Sequence, residues 1–349
     1  MAIRVIQWTT GNVGRRALRA IVRNPQLQLV GVYAHGSDKV GRDAGELSGL
    51  GDRLGVLATS DIEALIATGA DACSYNPMWP DVGVLCRLLE AGINVCSTAA
   101  FITGRALPPA DLERLREAAL RGGSTLFGTG VNPGFADFFA LVSTQICERV
   151  DSVSVTESVD STGYASKDTE ESVGYGMALD DPRLPAATRE GTAVFEEAVA
   201  LIADALGVEL DEITFDVDYG AASEDRDLGY MRIPKGTVSS MDGRWRGRAF
   251  GRDVVVAHFQ WLKGAPEDAP FKIRHGYYVE IVGEPSVRSQ FQIRPGPGWD
   301  EPDYMGLGMI MTAMPAVNAI PAVVAAQPGI ATYAMLPLVC ARGLVSPSE

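Results

Sequence analysis

The sequence predicts an α/β protein with an N-terminal doubly wound parallel sheet, an α+β second domain with an open mixed sheet, and a C-terminal helical segment packing back on the first domain. Short apolar strands alternate with helical stretches up to about residue 135, which is typical of a parallel sheet. Beyond residue 150, polar and apolar residues alternate as in an open sheet with one exposed face. Small and apolar residues at helical spacing return over 303–335. These changes predict domains at 1–148, 149–302 and 303–349.

The first turn has the composition of a phosphate-binding turn. An apolar strand over 3–8 runs directly into Thr9 and Thr10, and a helix over 12–23 follows. Gly11 lets the backbone approach a pyrophosphate, Gly14 allows close helix–strand packing, and the helix N-terminus offers free N–H groups. Thr9 takes the place of the usual first glycine, so an ordinary tight turn without a ligand is the alternative. We predict a Rossmann domain that binds a dinucleotide through Thr10, Gly11, Asn12, Val13 and Gly14.

The second strand, predicted over 27–34, ends in a loop that bears on the choice of cofactor. An acidic residue at this strand end usually holds the ribose 2′-hydroxyl of NAD(H). This chain has His35, Ser37 and Lys39 there, with Arg42 nearby, and these side chains better suit the 2′-phosphate of NADP(H). We therefore favour NADP(H), and NAD(H) stays possible because Asp38 lies in the same loop.

Three further strands, predicted over 70–74, 93–97 and 124–127, end in polar loops. Because the carboxyl ends of parallel strands share one edge of a sheet, we expect these loops beside the nicotinamide. An asparagine amide can bond a ribose hydroxyl or a carboxamide, although Asn-Pro pairs also form turns. The residues predicted to bind the cofactor here are Asn76, Pro77, Ser97, Thr98, Gly130 and Asn132.

The second domain supplies candidates for proton transfer. Glu157 and Asp160 lie on its first strand or at the exit of that strand, and their odd spacing places them on opposite faces of a regular strand. Tyr164 could donate a proton to a substrate oxygen, and so could His258, although a lone histidine on a strand is more typical of a core or an interface. A single helix is predicted over 189–206. The predicted catalytic residues are Glu157, Tyr164 and Asn132.

Composition narrows the range of partners and locations. The 349 residues carry a net charge of -14, which disfavours nucleic acid and anionic membranes as partners. The five cysteines are odd in number and lack close spacing, so we predict no metal site, no disulfide framework and a cytoplasmic location. The apolar stretch 309–339 could suggest a membrane span, but repeated prolines favour a buried segment.

Several segments resemble the dihydrodipicolinate reductase-like oxidoreductases, the family that includes 2,4-diaminopentanoate dehydrogenase and the native amine dehydrogenases. They are the N-terminal turn, 39–47, 128–135, 318–321 and 328–330. The resemblance implies a substrate domain with an open sheet, a homodimer, and hydride transfer from NAD(P)H to a carbonyl or imine carbon of a small molecule in an inter-domain cleft. Asn318, in one of these segments, joins the predicted cofactor-binding residues.

Two departures from that family bear on the reaction. The reductases of lysine biosynthesis carry a His-His pair followed by a lysine, and the corresponding stretch 161–167 has no histidine. The amine dehydrogenases place a glutamate just after the Ser-Thr at the end of the strand predicted here over 93–97, where this chain has Ala99 and Ala100. A general base worth about 10²–10⁴ in rate is thus missing from its usual place. Two alternatives stay open: an amine dehydrogenase with a non-standard base, and a non-catalytic dinucleotide-binding regulator.

Overall fold

The computed structural model describes residues 1–301 and 305–345, and the chain divides into two compact units. The first unit comprises Met1–Phe135 with Gly308–Glu349, and the second comprises Ala136–Leu307. The domain boundary predicted between residues 302 and 303 lies outside the described residues.

The described residues form the following strands and helices. The strands are β1 (Ile3–Trp8), β2 (Leu27–Tyr33), β3 (Ala58–Thr59), β4 (Ala72–Tyr75), β5 (Asn94–Ser97), β6 (Thr125–Gly128), β7 (Arg149–Asp160), β8 (Glu212–Ala221), β9 (Arg226–Asp227), β10 (Arg232–Ile233), β11 (Val238–Ala249), β12 (Arg252–Leu262), β13 (Gly276–Glu284), β14 (Val287–Phe291) and β15 (Gly329–Ala331). The helices are α1 (Asn12–Arg23), α2 (Ala44–Ser48), α3 (Ile62–Ile66), α4 (Val82–Glu90), α5 (Pro109–Gly122), α6 (Ala136–Ser143), α7 (Lys167–Ser172), α8 (Leu184–Gly191), α9 (Val194–Ala205) and α10 (Met305–Val324).

The first unit is built on a parallel sheet. Within the described residues its strand order is β15-β6-β5-β4-β1-β2-β3, and every pairing is parallel. The chain moves outward from β1 in one direction and then from β4 in the other, which is the doubly wound arrangement that the sequence predicts. The prediction of a parallel N-terminal sheet is confirmed, and the carboxyl ends of its strands share one edge.

Helix α1 forms because its sequence places apolar residues on one face. Ala17, Leu18 and Ile21 are fully buried, while Arg15 and Arg23 are exposed to solvent. Burying a leucine or isoleucine contributes about 1.5–3 kcal/mol each, which holds the helix against the sheet. The helix begins at Gly11 without a side-chain cap, so its first N–H groups are not satisfied by a capping side chain.

The second unit is built on a mixed sheet with the order β14-β13-β7-β12-β11-β8. Strands β7 and β12 are parallel, and the other neighbours are antiparallel, as the prediction of an open mixed sheet requires. Helix α9 packs on the face that carries Phe259 and Trp261, through Phe195. Helix α6 packs on the same face, through Phe139 and Phe291.

The opposite face of this sheet, called the open face here, is polar. By strand register it carries side chains from all the strands, including Ser154, Thr156, Asp216, Asp242, Arg244, Arg246, Val256, His258 and Glu280. Its charges pair along the sheet, as in the ion pair of Arg246 with Asp216 at 2.7 Å. The alternation of apolar and polar residues along β12 is therefore the alternation between these two faces.

The helix predicted over 189–206 is two helices, α8 and α9, so that prediction was wrong in its continuity. The break follows Gly191, where an added Cβ would lie 2.7 Å from the Val173 side chain. Thr192 accepts a hydrogen bond from the Trp245 indole at 3.1 Å and donates to the Thr188 carbonyl at 2.7 Å. A contact with a strand more than 50 residues away thus fixes the break, and no local pattern shows it.

The C-terminal segment packs back on the first unit, as predicted, but as a helix and a strand. Helix α10 ends at Val324, and β15 then joins the sheet edge beside β6. The Gly329 N–H donates to the Ser124 carbonyl at 3.0 Å, and the Thr125 hydroxyl donates to the Gln327 carbonyl at 3.0 Å. The prediction of helix up to residue 335 was wrong because three residues of strand are set by this pairing and not by periodicity.

Among the described residues, α10 is long and apolar enough to cross a membrane by length and composition, with a mean hydropathy of 1.7. It also contains Pro315 and Pro321, and a third of its most apolar window is buried inside the protein. The fully buried side chains include Ala313, Ala316 and Ile320. Core helices of globular proteins pass the same test, so its length and composition are weak evidence for a span.

Candidate functional site

The carboxyl ends of the strands in the first unit are joined into one edge by backbone hydrogen bonds. They run from Thr9 N–H to the Tyr33 carbonyl (3.0 Å), Asn76 N–H to Trp8 (3.2 Å), Thr98 N–H to Tyr75 (2.9 Å) and Thr129 N–H to Ser97 (2.9 Å). The loops predicted to bind the cofactor therefore all start from this edge. Ligands of doubly wound sheets bind at this position.

The β1–α1 turn has the geometry of an anion-binding turn. An added Cβ on Gly14 would lie 2.5 Å from the Thr9 carbonyl oxygen, so only glycine lets the helix approach so closely. Gly11 faces open space, with no atom within 4 Å of an added Cβ. The Thr10 hydroxyl is buried without a hydrogen-bond partner, and so is the Thr9 hydroxyl. A phosphate at this helix N-terminus would satisfy both the free N–H groups and the hydroxyls.

Thr9 carries backbone strain at the position where a dinucleotide-binding turn usually has its first glycine. Its φ is +68°, in the left-handed region that β-branched residues avoid. Such a conformation costs of order 1–3 kcal/mol and persists only where the surroundings impose it. The turn therefore keeps the glycine backbone path although the glycine itself is replaced.

Gln7 supports the turn and was missed by sequence reasoning. Its Nε2 donates to the Thr9 carbonyl at 2.8 Å and to the Asn76 Oδ1 at 2.8 Å, and the side chain is fully buried. A glutamine in the buried end of a mostly apolar strand is the signal that could have identified it. Its own Oε1 has no hydrogen-bond partner.

Asn76 and Thr98, both predicted to bind the cofactor, contact each other. The Asn76 Nδ2 donates to the Thr98 hydroxyl at 2.8 Å, and the Asn76 Oδ1 also accepts from the Ser74 hydroxyl at 3.0 Å. The amide is thus held in one orientation by β1, β4 and β5. Ser97 is buried, and its hydroxyl accepts from the Ala99 N–H at 3.1 Å, while Pro77 lies half-buried beside Asn76.

The loop after β6 is tied to the C-terminal segment. The Thr129 hydroxyl and the Tyr333 hydroxyl lie 2.7 Å apart, and both residues are buried. Gly130 lies beside Thr312 of α10, and Asn132 follows, half-buried, in the turn 131–135. Asn318 is half-buried further along α10. Tyr333 is a residue that sequence reasoning missed, because its partner is 204 residues away.

The loop after β2 brings Lys39 to the β1–α1 turn. The Lys39 Nζ donates to the Thr10 carbonyl at 3.4 Å. Arg42, in contrast, forms an ion pair with Glu46 at 2.8 Å. His35 and Ser37 are exposed at the start of the same loop. Of the cations predicted near the ribose, Lys39 is the one that this geometry places against the turn.

Glu157, a predicted catalytic residue, is engaged by the aromatic face of the second unit. Its Oε1 accepts a hydrogen bond from the Trp261 indole at 3.0 Å, and it lies half-buried. Asp160, at the end of the same strand, accepts from the Thr162 N–H at 2.9 Å and from the Thr162 hydroxyl at 2.6 Å. An open pocket of about 440 Å³ lies at this strand end, lined in part by Asp160, Leu262, Lys272 and His275.

Tyr164, the second predicted catalytic residue of this unit, belongs to a group that we call the lysine cage: Tyr164, Glu170, Tyr175, Tyr230 and Lys263. The Lys263 Nζ is fully buried and forms an ion pair with the Glu170 Oε2 at 2.9 Å. It also donates to the Ser161 carbonyl at 2.6 Å and to the Tyr230 hydroxyl at 3.2 Å. The rings of the three tyrosines surround it, with centroids 5.3–5.8 Å away.

Burial shifts the pKa values of several groups in the lysine cage. It raises the pKa of Glu170 to about 7, although the nearby Lys263 ammonium opposes that shift. It lowers the pKa of Lys263, and it raises the pKa of Tyr164, to which the Glu170 carboxylate adds a further increase. Sequence reasoning missed Glu170 and Lys263, which come from a short helix and a strand end 93 positions apart in the chain.

His258 is held on the open face by its neighbours. Its Nε2 lies 2.8 Å from the Asp242 Oδ1, and its Nδ1 lies 3.2 Å from the Thr156 hydroxyl. Arg244 also pairs with Asp242, at 2.7 Å. Among residues 1–301 and 305–345, no group of three or more His, Cys, Asp or Glu side chains is placed to hold a metal ion.

Comparison with known proteins gives consistent similarities over nearly the whole chain. Residues 135–346 match the model of the 2,4-diaminopentanoate dehydrogenase C-terminal domain, and residues 5–73 match the dihydrodipicolinate reductase N-terminus. An amine dehydrogenase of Streptomyces virginiae is 32% identical, with 96% of each chain covered. A 2,4-diaminopentanoate dehydrogenase of Acetoanaerobium sticklandii is 25% identical, covering 96% of this chain and 94% of its own. In fold, the chain is similar to the amine dehydrogenase of Mycobacterium smegmatis, with a TM-score of 0.76, 22% identity and 98% of each chain covered.

Proposed function

Because the chain belongs to the 2,4-diaminopentanoate dehydrogenase family and is a dinucleotide-dependent oxidoreductase, we propose that it transfers a hydride between NADP(H) and a small amine or its carbonyl or imine counterpart. The dinucleotide supplies or accepts the hydride when bound. The chain's own residues position the cofactor and substrate and transfer the accompanying proton.

The observation that carries the proposal is the β1–α1 turn. It combines an uncapped helix N-terminus, a glycine at Gly14 that no other residue could replace without a clash, and a buried Thr10 hydroxyl without a partner. A pyrophosphate is the group that satisfies these features together, since it is anionic and accepts several hydrogen bonds. The residues present therefore fit a dinucleotide.

We assign the remaining cofactor contacts along the same strand edge. Thr98 and Asn76 would orient the nicotinamide ribose, because their side chains are fixed by their mutual hydrogen bond. Asn132, at the turn after β6, would contact the carboxamide, with Gly130 giving backbone access. The other proposed contacts are Gly11, Asn12, Val13, His35, Ser37, Pro77, Ser97 and Asn318.

The preference for NADP(H) rests on Lys39. Its ammonium lies against the β1–α1 turn, and there it could hold the adenosine ribose side of a dinucleotide. A 2′-phosphate there would gain a charge-assisted hydrogen bond, which is about twice as strong as a neutral one. Arg42 contributes less because Glu46 already neutralises it.

The substrate class follows from the relatives and from what the site lacks. The relatives named amine dehydrogenase and 2,4-diaminopentanoate dehydrogenase support an amine or its carbonyl counterpart as substrate. A role in lysine biosynthesis is not proposed, since the stretch 161–167 holds no histidine. Ala99 and Ala100 offer only methyl groups after β5, so the proton-transferring group must come from elsewhere, and Glu157 and Tyr164 are the proposed candidates.

We also propose that the enzyme is a cytoplasmic protein and a homodimer. The open face of the second-unit sheet supports the dimer, because α6, α8 and α9 all contact the other face of that sheet. Its paired opposite charges, such as Arg246 with Asp216, are suited to a self-complementary contact between two copies. No nucleic acid or membrane is proposed as a partner.

The proposed function is tested by binding and turnover with the purified full chain. Thermal shift and fluorescence titration should show binding of both cofactors, with NADPH about tenfold tighter than NADH. NADPH oxidation should follow addition of a small ketone or aldehyde, with and without ammonium salts, and NADP⁺ reduction should follow addition of the amine.

The results of these assays distinguish cofactor binding, catalytic turnover and the use of ammonia. Binding without turnover on carbonyls, imines or amines would favour a dinucleotide-binding regulator. Turnover that depends on ammonia would establish reductive amination, and turnover without ammonia would establish carbonyl reduction. An absence of cofactor binding would contradict the proposal as a whole.

A further inference from the structure

The lysine cage has features that a purely structural ion pair does not need. Glu170 is on α7, a helix of six residues, and is 6% exposed, while the Lys263 side chain is fully buried. Burying two charges costs free energy that their attraction offsets only with complete hydrogen bonding, and an apolar pair of the same volume is often as stable. A buried pair of this kind therefore calls for another role.

The Lys263 ammonium donates hydrogen bonds to three acceptors. They are the Glu170 carboxylate, the Ser161 carbonyl and the Tyr230 hydroxyl. Three acceptors match the three N–H groups of an ammonium, which favours the charged lysine even at this depth. The cation–π contacts with the tyrosine rings add to this preference.

Tyr164 connects this buried charge to the surface. It is half-buried, its ring centroid lies 5.8 Å from the Lys263 Nζ, and its hydroxyl hydrogen-bonds the Thr169 side chain beside Glu170. Tyr175 is fully buried and so does not reach the surface. Tyr230 is also half-buried, but its hydroxyl donates to the Thr162 carbonyl at 2.9 Å and accepts from Lys263. Of the three tyrosines, Tyr164 is therefore the one suited to meet a substrate, and it follows in the chain the strand end where Asp160 lines a pocket.

We propose that Tyr164 is the proton donor of the reaction and that the buried Glu170–Lys263 pair controls how readily Tyr164 gives up its proton. This rests on the proposed function. In carbonyl or imine reduction, the substrate carbon would receive a hydride, with its electron pair, from NADPH, while the Tyr164 O–H bond breaks and an O–H or N–H bond forms on the substrate, leaving a tyrosinate. Water returns a proton to the tyrosinate after product leaves. Glu170 and Lys263 are positioning residues that act through Tyr164.

The charge state of Glu170 sets the sign of the effect. With Glu170 protonated, the Lys263 charge is not neutralised and favours the tyrosinate, so proton donation is easier. With Glu170 ionised, its charge raises the pKa of Tyr164 and disfavours donation. Since burial raises the pKa of Glu170 to about 7, the change falls near neutral pH. The other titratable groups around Glu170 and Lys263 are Asp160, Tyr175 and Tyr230, and burial raises the pKa of both tyrosines, so neither phenol ionises between pH 6 and 8.

The pH–rate profile of carbonyl or imine reduction at saturating NADPH tests the proposal. In the unmodified enzyme, kcat should fall roughly tenfold as pH rises from 6 to 8. Glu170→Gln, a permanently neutral mimic, should remove this fall and be faster than the unmodified enzyme at pH 8. Tyr164→Phe should lower kcat on the order of 100-fold at every pH, because general acid catalysis is lost.

Two further variants separate this role from folding. Glu170→Asp should restore part of the pH dependence. Asp268→Asn is the matched control, since Asp268 forms a buried ion pair with Arg226 at 2.8 Å in the same unit. It should lower Tm while leaving the pH–rate profile unchanged. A Glu170→Gln profile that keeps the fall would overturn the proposal.

Infrared difference spectroscopy on the cofactor-free enzyme with labelled glutamate gives a readout independent of turnover. A protonated carboxyl band should appear as pH falls through about 7 and be missing from Glu170→Gln. Its absence from the unmodified enzyme would overturn the proposal even if Glu170→Gln fails to fold. An enzyme without turnover that still shows the band would contradict the proposed function and not the titration of the cage.

Discussion

Two residues of the β1–α1 turn have conformations that lower the stability of the free protein and suit a bound ligand. Thr9 holds a left-handed backbone, and Thr10 buries a hydroxyl without a partner. Each lowers the stability of the free protein by an amount of order 1–3 kcal/mol. Gln7 helps to impose this geometry from inside the sheet, through its hydrogen bond to the Thr9 carbonyl. A bound pyrophosphate would recover part of that cost, which is how such a turn becomes specific for its ligand.

Lys39 provides the sharpest test at the residue scale. Lys39→Ala should weaken NADPH binding about tenfold and leave NADH binding nearly unchanged, because a charge-assisted hydrogen bond contributes about 1.5–3 kcal/mol. Fluorescence titration with both cofactors measures the two dissociation constants. Arg42→Ala is the control, and its pairing with Glu46 predicts a change of less than about threefold. Equal losses for NADPH and NADH in Lys39→Ala would contradict the assignment.

The two glycines of the turn distinguish a requirement of the fold from a requirement of the ligand. Gly14→Ala should lower the free energy of unfolding by about 1–3 kcal/mol, because its Cβ would lie 2.5 Å from the Thr9 carbonyl oxygen. Gly11→Ala should leave Tm nearly unchanged, since φ is -72° and no atom is within 4 Å, yet it should weaken binding of either cofactor. Thermal unfolding and cofactor titration of both variants check this. Tight cofactor binding by Gly11→Ala would argue against a pyrophosphate at that position.

At the scale of elements, sequence reasoning succeeded where local pattern decides structure. Strand β1 and helix α1 have the predicted bounds, because the strand is mostly apolar and the glycine turn starts the helix. It failed where distant contacts decide, as at the break between α8 and α9, which the Trp245 indole fixes. The strand β15 is likewise set by its pairing with β6.

The candidate site likewise contains residues that the local sequence predicts and residues that only distant contacts bring into it. The turn residues could be predicted because glycine and threonine between a strand and a helix indicate a particular local backbone conformation. Lys263 could not, because a lysine at a strand end normally reaches solvent, and only the fold buries it beside Glu170. Likewise, Ala99 and Ala100 show what is missing from the site but not which group replaces it.

The link between the β6 loop and the C-terminal segment makes a prediction at this scale. Thr129→Val and Tyr333→Phe should each lower the free energy of unfolding by about 1 kcal/mol, since each breaks a buried hydrogen bond. The double variant should lose less than the sum, with a coupling of about 0.5–1.5 kcal/mol. Denaturant unfolding of the three variants measures the cycle. Additive losses would mean that the two hydroxyls do not depend on each other.

For the whole molecule, the open face of the second-unit sheet determines the expected assembly. Light scattering coupled to gel filtration should give twice the 37.1 kDa mass of one chain. Val256 lies on that face next to Arg246, so Val256→Arg would place two like charges side by side within a dimer contact and should yield monomers. Leu120→Arg is the matched control, because Leu120 is 58% exposed on α5 of the first unit, and it should stay dimeric. Cofactor titration of the Val256→Arg monomer adds a second readout: the β1–α1 turn is complete within one chain, so binding should persist. A monomeric unmodified enzyme, or a Val256→Arg variant that stays dimeric, would remove the open face as the interface.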